Sequence, residues 1–434
     1  MTDAAAATAA APTVLGVRDV LRIRDYRRLW LGQLISEAGD GLTNLTLLLL
    51  VNALTGSTAA LAAMAIVLAV PPLTIGLVAG TYVDRLDRRR IMIVADALRA
   101  IVVLGFVFVG SSSSLWLLYV LAFVQATIGT FFTPARSAVL PRIVPREGLL
   151  AANSLAQATR VVSGVVGSSI AGLIVGVLGT FWPAFLLDSA SFLASVLLIS
   201  RLPVSVGVIE NVHAAAAGVR SALLVGLRTI GRSPVLTTTI VTLGVSMLGL
   251  GAVNVLFVPF VVRTLGVGPV WLGPVELAQS ASMILASGLI AVLARRFTPA
   301  TIVTIGLAGI AMTIALAGAV GAIWQLLVLM FVLGWFVVPL QAAVVTILQS
   351  TVADAERGRV MSVLQAVMSA TSVLSMALAG LAGDAIGIRE VFFAAGAICA
   401  ICFVGALVGY RIGGRSQAAE TGAGDPVAPG VPAA

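Results

Sequence analysis

The chain has 434 residues, of which 59% are hydrophobic and only 10% are charged, and its mean hydropathy is +1.10. A soluble domain carries about 25% charged residues, so this composition excludes a soluble globule, and its hydrophobicity excludes a disordered chain. The formal net charge is +8, and every basic residue is an arginine because the sequence has no lysine. Without lysine there is no P-loop or Schiff-base chemistry, and a single histidine cannot form a multi-histidine metal site. We therefore predict a membrane protein with neither cofactor nor metal.

Twelve apolar stretches are long enough to cross a bilayer, which takes about 20 residues. They cover approximately residues 29–52, 59–82, 91–110, 115–139, 150–177, 182–200, 235–262, 270–294, 300–320, 324–350, 360–384 and 390–411. The prediction is an all-α polytopic membrane protein with six helices in each of two halves. Its parts are a cytoplasmic N-terminal segment 1–28, a first half 29–201, a cytoplasmic central loop 202–234, a second half 235–411 and a disordered cytoplasmic tail 412–434.

The arginines concentrate on one side of the predicted spans. With the N-terminus in the cytoplasm, 22 of the 26 arginines are counted with the cytoplasmic segments, among them Arg136 at the end of the fourth span. Arg263 and Arg389 fall on the opposite side, and Arg99 and Arg160 lie inside spans. This distribution follows the positive-inside rule, so we predict that both termini lie in the cytoplasm beneath the plasma membrane. It also explains the basic charge without a nucleic-acid partner.

The two halves show signs of an internal repeat. A shift of 208 residues places Ala171-Gly172-Leu173 on Ala379-Gly380-Leu381 and thereby aligns the fifth span with the eleventh. A parallel repeat of this kind is typical of transporters whose two halves rock about a central cavity.

A charged motif follows the second span and reads Gly80-Thr81-Tyr82-Val83-Asp84-Arg85-Leu86-Asp87-Arg88-Arg89-Arg90. It resembles the G-x-x-x-D-R-x-x-R-R loop of the major facilitator superfamily, which lies between helices 2 and 3 on the cytoplasmic side. The resemblance implies the fold of that superfamily and a cytoplasmic latch that holds one of two access states. The latch residues would be Gly80, Asp84, Arg85, Arg88 and Arg89.

Resemblance to the drug-exporter branch, which includes macrolide and enterobactin exporters, extends over about residues 20–410. It is carried by Arg27-Arg28-Leu29-Trp30-Leu31-Gly32-Gln33 with Gly39-Asp40-Gly41, and by Asp96-Ala97-Leu98-Arg99. The fifth span is similar to the glycine-rich motif of exporters, although Ser168 stands near the place of the usual proline. Close helix packing is the structural role of its glycines Gly164, Gly167, Gly172 and Gly176.

Charged residues inside a membrane are costly and mark ion pathways. Asp96 and Arg99 share one helix face, so we predict a structural ion pair between them. We expect Asp188, near the outer end of its span, to be solvated or to cap a helix. Glu276 is expected to be a solvated acid near the start of its helix, and a gate or a substrate contact is the alternative. The acids within or at the edges of spans are Glu37, Asp40, Asp96, Asp188, Glu276 and Asp384.

Glu37 and Asp40 are the predicted proton-coupling residues. At 1.5 Å per residue they lie about 12 and 16 Å inside the first span, close to the midplane where transporter sites lie. They share a face, and no basic residue on the same span can neutralise them. Two carboxylates close together in a low dielectric are difficult to ionise together, which suits them to bind and release a proton. Arg160, inside the fifth span, is the predicted charge partner.

The superfamily resemblance implies that helices 1, 4, 7 and 10 line the transport path. The predicted cavity residues are Gln33, Asn44, Gln125, Arg160, Asn254 and Gln341. Hydrogen bonding between helices is the alternative role of the amides. Few fixed charges other than the acids are expected there. This favours an amphipathic or weakly cationic substrate over a phosphate or dicarboxylate, which would need clustered arginines.

These features together predict a monomeric secondary transporter that exports an amphipathic, drug-like small molecule by proton-coupled alternating access. An exporter of a native metabolite, such as a siderophore or a lysolipid, and an uptake symporter are the alternatives in transport. A membrane enzyme is a remote alternative. Asp84 and Asp87 have the D-x-x-D spacing of a magnesium site, but no second acidic cluster completes it.

Overall fold

A computed structural model of the protein describes residues 15–83, 86–203 and 219–420, and these described residues form helices and no strands. The N-terminal helices are α1 (Val17–Arg22), α2 (Arg24–Thr55), α3 (Thr58–Thr74), α4 (Gly76–Val83), α5 (Arg88–Gly105), α6 (Leu115–Ile143), α7 (Leu149–Leu178) and α8 (Trp182–Ile199). The C-terminal helices are α9 (Val219–Arg232), α10 (Pro234–Pro259), α11 (Leu272–Ser287), α12 (Ile290–Arg296), α13 (Pro299–Ala319), α14 (Ile323–Thr351), α15 (Asp354–Ile386) and α16 (Ile388–Glu420).

The described helices are consistent with the twelve predicted spans, although only ten or eleven of these are long and apolar enough to cross a membrane. Ten are long and apolar enough to cross a membrane, and α11 with α12 forms an eleventh as a pair bent by 53°. The remaining predicted span is the shorter apolar helix α3, which contains Pro71 and Pro72 near its end and is followed by α4 after Ile75. Proline removes a backbone donor and strains the preceding turn, which explains a break at this point.

The chain divides into two compact units. Among the described residues, the first unit contains 15–203 and Val261–Leu277, and the second contains 219–260 and 278–420. The stretch Val261–Leu277 follows α10 in the sequence but belongs with the first unit, where it packs against α7.

In the first unit, α2 packs along α7 and α8, and glycine makes the approach to α7 close. A Cβ at Gly167 would lie 2.7 Å from the backbone nitrogen of Leu42, and one at Gly41 would lie 2.7 Å from the carbonyl oxygen of Gly164. Neither distance leaves room for a side chain, so these glycines let two helix backbones touch. The Trp30 indole Nε1 then donates a hydrogen bond of 2.8 Å to Thr159 across the same contact.

In the second unit, α10 packs between α15 and α16, and α13 packs against α14 and α16. Cys399 and Cys402 lie buried on α16 as free thiols. Gly249 of α10 contacts Cys399, so the small side chains serve the packing of these two helices.

The structure differs from the predicted domain limits in two places. Residues 219–232 of the predicted central loop form α9, which packs on the start of α15, and Thr229 donates a 2.8 Å hydrogen bond to Glu356 there. The start of the predicted disordered tail is helical, because α16 continues to Glu420 across Gly413 and Gly414, although glycine has poor helix propensity. The remaining parts of that loop and tail, 204–218 and 421–434, lie outside the described residues.

Candidate functional site

A cavity of about 800 Å³ lies in the first unit. Small-molecule sites occupy about 300–1,000 Å³, so a drug-sized compound would fit. Its walls come from α2, α3, α6 and α7, with single contributions from α4 and α5. The polar side chains that line it are Ser36, Glu37, Asp40, Thr43, Asn44, Arg99, Gln125, Thr130, Thr133, Arg136 and Arg160.

Glu37 is paired with an arginine from another helix. Its Oε1 accepts a 3.1 Å hydrogen bond from Arg136 Nη1, and the two side chains are only 19% and 13% exposed. From the distribution of arginines along the sequence, Arg136 is expected in a cytoplasmic segment, and this expectation is wrong. Helix α6 continues to Ile143 and carries Arg136 into the cavity wall.

Asp40 is also paired across helices. It accepts a hydrogen bond from the Arg99 guanidinium of α5, and the same guanidinium lies 3.8 Å from Asp96. The predicted Asp96–Arg99 ion pair is therefore present but long, and Asp40 is the closer partner. The ring centroid of Phe192 lies 4.2 Å from the Arg99 guanidinium carbon, an arrangement typical of a cation–π contact.

Asp188 is fully buried in α8 and faces α2, so the expected solvated or capping role is wrong. It accepts hydrogen bonds from Thr43, at 2.5 Å, and from Ser191, at 3.1 Å. A Cβ at Gly39 would collide with the Asp188 carboxyl and the Ser191 hydroxyl. Glycine at this position gives the buried carboxylate its space.

Among the predicted cavity residues, Asn44, Gln125 and Arg160 line this cavity. Gln33 is buried but is not part of the cavity lining. Asn254 and Gln341 lie exposed on α10 and α14 of the second unit.

The cavity is not poor in fixed charge, contrary to the sequence-based expectation. Two carboxylates and three arginines line it, which gives a formal surplus of one positive charge. Arg136 and Arg99 are each paired with a carboxylate. Within the described part of the chain, Arg160 has no ion pair within 4.0 Å. It is nevertheless close enough to Glu37 for the two charges to attract each other.

The predicted latch is described only in part, because Asp84 and Arg85 lie outside the described residues. Gly80 lies in α4, and Arg88 at the start of α5 is only 2% exposed. Arg89 donates a hydrogen bond to the carbonyl of Ser200, just beyond α8.

Asp87 has a clear local role. It is the N-cap of α5, and its carboxylate accepts hydrogen bonds from the backbone nitrogens of Arg89 and Arg90, at 3.0 and 3.3 Å. An acid here satisfies helix donors and favours the positive end of the helix dipole. This explains an aspartate where the resembling family usually has a small residue.

The glycine-rich face of α7 packs against the stretch Val261–Leu277. A Cβ at Gly176 would lie 3.1 Å from the backbone nitrogen of Val270, and one at Gly172 would lie 2.5 Å from the carbonyl oxygen of Pro269. Ser168 donates a hydrogen bond to the partly buried Glu276. Glu276 therefore has a hydrogen-bond partner within the first unit, and this partner is the serine that stands near the place of the motif's usual proline.

An all-helical membrane architecture with a charged, drug-sized cavity against the first span is typical of secondary transporters of the major facilitator superfamily. Residues 19–426 match the family described as transmembrane secretion effector. The chain belongs to this family of the major facilitator superfamily. Because the family consists of transporters, the membrane-enzyme alternative is discarded.

Individual proteins agree with this assignment. The chain is 31% identical over 382 residues to the multidrug efflux pump Tap of Mycobacterium tuberculosis, covering 83% of this chain and 87% of that protein. It is 29% identical over 154 residues to macrolide efflux protein A of Streptococcus pyogenes, covering 35% and 38% of the two chains. Its fold is similar to that of a bacterial homologue of the human lysosomal transporter Spinster, with a TM-score of 0.70, 13% identity and coverage of 90% and 97%.

Proposed function

We propose that this transporter exports an amphipathic, drug-like small molecule across the plasma membrane in exchange for protons, by alternating access. The observation that carries the proposal is the pair of acid–arginine contacts, Glu37–Arg136 and Asp40–Arg99, on the wall of the 800 Å³ cavity. Similarity to the multidrug efflux pump Tap over most of the chain supports a drug-like substrate.

The two ion pairs are suited to proton coupling because each has no net charge while it is intact. Each can also be broken by a proton or a substrate that reaches it from the cavity. Protonation of Glu37 removes the charge that holds Arg136, and protonation of Asp40 does the same for Arg99. A cationic group on the substrate would compete with the arginines for the same carboxylates. Proton and substrate would therefore bind alternately, which is what exchange requires.

The orientation belongs to the same proposal. The arginine distribution favours both termini in the cytoplasm, and a cavity lined by residues of one chain supports transport by a monomer.

Inverted membrane vesicles with an imposed proton gradient test this function, with the fluorescent cation ethidium as the probe. We expect gradient-driven accumulation by the unaltered protein and none by the variant that combines Glu37→Gln with Asp40→Asn. Asp19→Asn is the matched control, because Asp19 lies on the exposed helix α1 outside the predicted spans. Full gradient-driven transport by the double variant would refute the coupling role of these acids.

An exporter of a native anionic metabolite is the second candidate function. It is favoured by Arg160, a cavity-lining cation without an ion pair among the described residues. A lysophospholipid with a phosphate headgroup is a suitable probe. We expect Arg160→Gln to reduce transport of that lipid but not of ethidium if this candidate is correct, and equal effects on both probes would contradict it.

A further inference from the structure

Behind the cavity wall, four charged side chains from three helices form one cluster. It consists of Asp40 of α2, Asp96 and Arg99 of α5, and Asp188 of α8, and is called the Asp40 cluster below. Asp40 faces the cavity, whereas Asp96 and Asp188 are 0% exposed. The cluster thus connects a cavity-facing carboxyl to two fully buried ones.

The cluster holds more acids than cations. Within 4.0 Å of its carboxyls, Arg99 is the one cation that the described residues supply. Of the neighbouring helices, α6 contributes Arg136, which is paired with Glu37, and α7 contributes Arg160 at the cavity. If all three carboxyls were ionised, the buried cluster would carry two uncompensated negative charges. Because unpaired charge is strongly disfavoured in a low dielectric, we expect the cluster to bind at least one proton.

The hydrogen bonds indicate which carboxyl is best suited to hold a proton. Asp40 is held by Arg99, and Asp188 accepts two hydroxyl hydrogen bonds that stabilise its charge. Asp96 has weaker support: among the described residues, neither of its buried carboxyl oxygens has a hydrogen bond of good geometry. The Ser195 hydroxyl faces the same carboxyl, and the Arg99 guanidinium lies 3.8 Å from it.

We propose that Asp96 is a proton-binding residue of the transport cycle and that Arg99 switches between Asp40 and Asp96. While Arg99 is bound to Asp40, Asp96 carries a proton. When the proton moves from the Asp96 carboxyl to the Asp40 carboxyl, Arg99 moves to the newly ionised Asp96. The charge of the cluster is unchanged, and the proton now lies at the cavity. This inference rests on the proposed proton coupling and adds a buried carboxyl, that of Asp96, as a binding position for the proton.

The surroundings of Arg99 favour such a switch. The Phe192 ring covers one face of the guanidinium at 4.2 Å and keeps it near both carboxyls. A Cβ at Gly129 of α6 would lie 3.5 Å from the guanidinium carbon, so this side of Arg99 meets no side chain at that position. The guanidinium can therefore change partner by a small rotation between two acids that it already approaches.

Infrared spectroscopy of the purified protein at neutral pH tests the protonation directly. We expect a carbonyl-stretch band of a protonated carboxylic acid, shifted by deuterium exchange, that is lost in Asp96→Asn and retained in Asp96→Glu. Glu37→Gln is the control and should leave this band unchanged, because Glu37 is paired with its own arginine. An unchanged band in Asp96→Asn, or its loss in Asp188→Asn instead, would overturn the proposal.

A transport assay separates this proposal from the proposed function. In proteoliposomes we expect Asp96→Asn to keep ethidium exchange at equal pH on both sides but to lose accumulation driven by a proton gradient. Gradient-driven accumulation at the unaltered level in Asp96→Asn would refute the role of Asp96. If the unaltered protein itself showed no gradient-driven transport, proton coupling would be wrong, while the infrared band would still report the state of Asp96.

Discussion

The Glu37–Arg136 pair offers the sharpest energetic test of the cavity. Glu37→Gln leaves the Arg136 guanidinium, only 13% exposed, without its carboxylate at 3.1 Å. At an effective dielectric constant of about 20, the attraction at this distance is about 5 kcal/mol, and removing one partner of a buried pair typically costs about 3–5 kcal/mol. Because both side chains line a cavity and are partly exposed, we expect a cost below that range, about 2–3 kcal/mol of unfolding free energy for each single variant.

The paired variant Glu37→Gln with Arg136→Gln should lose less than the sum of the single losses, with a coupling energy of about 1–3 kcal/mol. Unfolding of the purified protein in mixed detergent and dodecyl sulfate micelles, followed by tryptophan fluorescence, measures all three variants. The Asp19–Arg22 pair, at 3.9 Å and with side chains 49% and 84% exposed, is the matched control and should couple by under about 0.5 kcal/mol. Additive losses for Glu37 and Arg136 would refute the pair.

Two further predictions concern the faces of α7. Gly167→Ala places a Cβ against the backbone of α2, so we expect a loss of about 1–3 kcal/mol and a lower melting temperature, whereas Gly164→Ala, whose Cβ meets open space, should stay within about 0.5 kcal/mol. Equal effects of the two alanines would contradict the close crossing. Ser168→Ala removes the hydrogen bond to Glu276 and should cost about 1–3 kcal/mol in the same unfolding assay, with a smaller further loss when Glu276→Gln is added. Independent losses would show that the two residues do not interact.

The sequence predicts the helices well because hydropathy and length act locally. The predicted fifth span, 150–177, is α7 (Leu149–Leu178), and the predicted sixth, 182–200, is α8 (Trp182–Ile199). Amphipathic segments are less predictable from the sequence. Helix α9 contains arginine and is too short to be a span, so its composition indicates a loop. Its contact with α15, which the sequence does not reveal, favours the helix.

The site was predictable as a set of acids but not as a set of pairs. Glu37 and Asp40 stand out because an acid deep in an apolar helix is rare. Their partners come from α6 and α5, and which helices touch is decided by packing that no local pattern contains. Arg136 was placed in a loop because arginine is normally found there, whereas pairing with Glu37 makes it tolerable in the cavity wall.

Asp188 is another residue whose surroundings could not be predicted from the sequence. Its place in the sequence indicates the end of a span, but Gly39 lets α8 approach α2 and encloses the carboxyl between Thr43 and Ser191. The signal that could have found it is the coincidence of a glycine on one helix with an acid on another. That coincidence becomes visible only when the two helices are known to be neighbours.

The most direct test of proton-coupled export is the simultaneous measurement of proton and ethidium movement in proteoliposomes that contain a pH-sensitive dye. With the unaltered protein, we expect ethidium added on one side to release protons to that same side as the probe is transported, and we expect both movements to disappear in Asp40→Asn. Ethidium transport without any proton movement would contradict the coupling that the Asp40–Arg99 and Glu37–Arg136 pairs are proposed to provide.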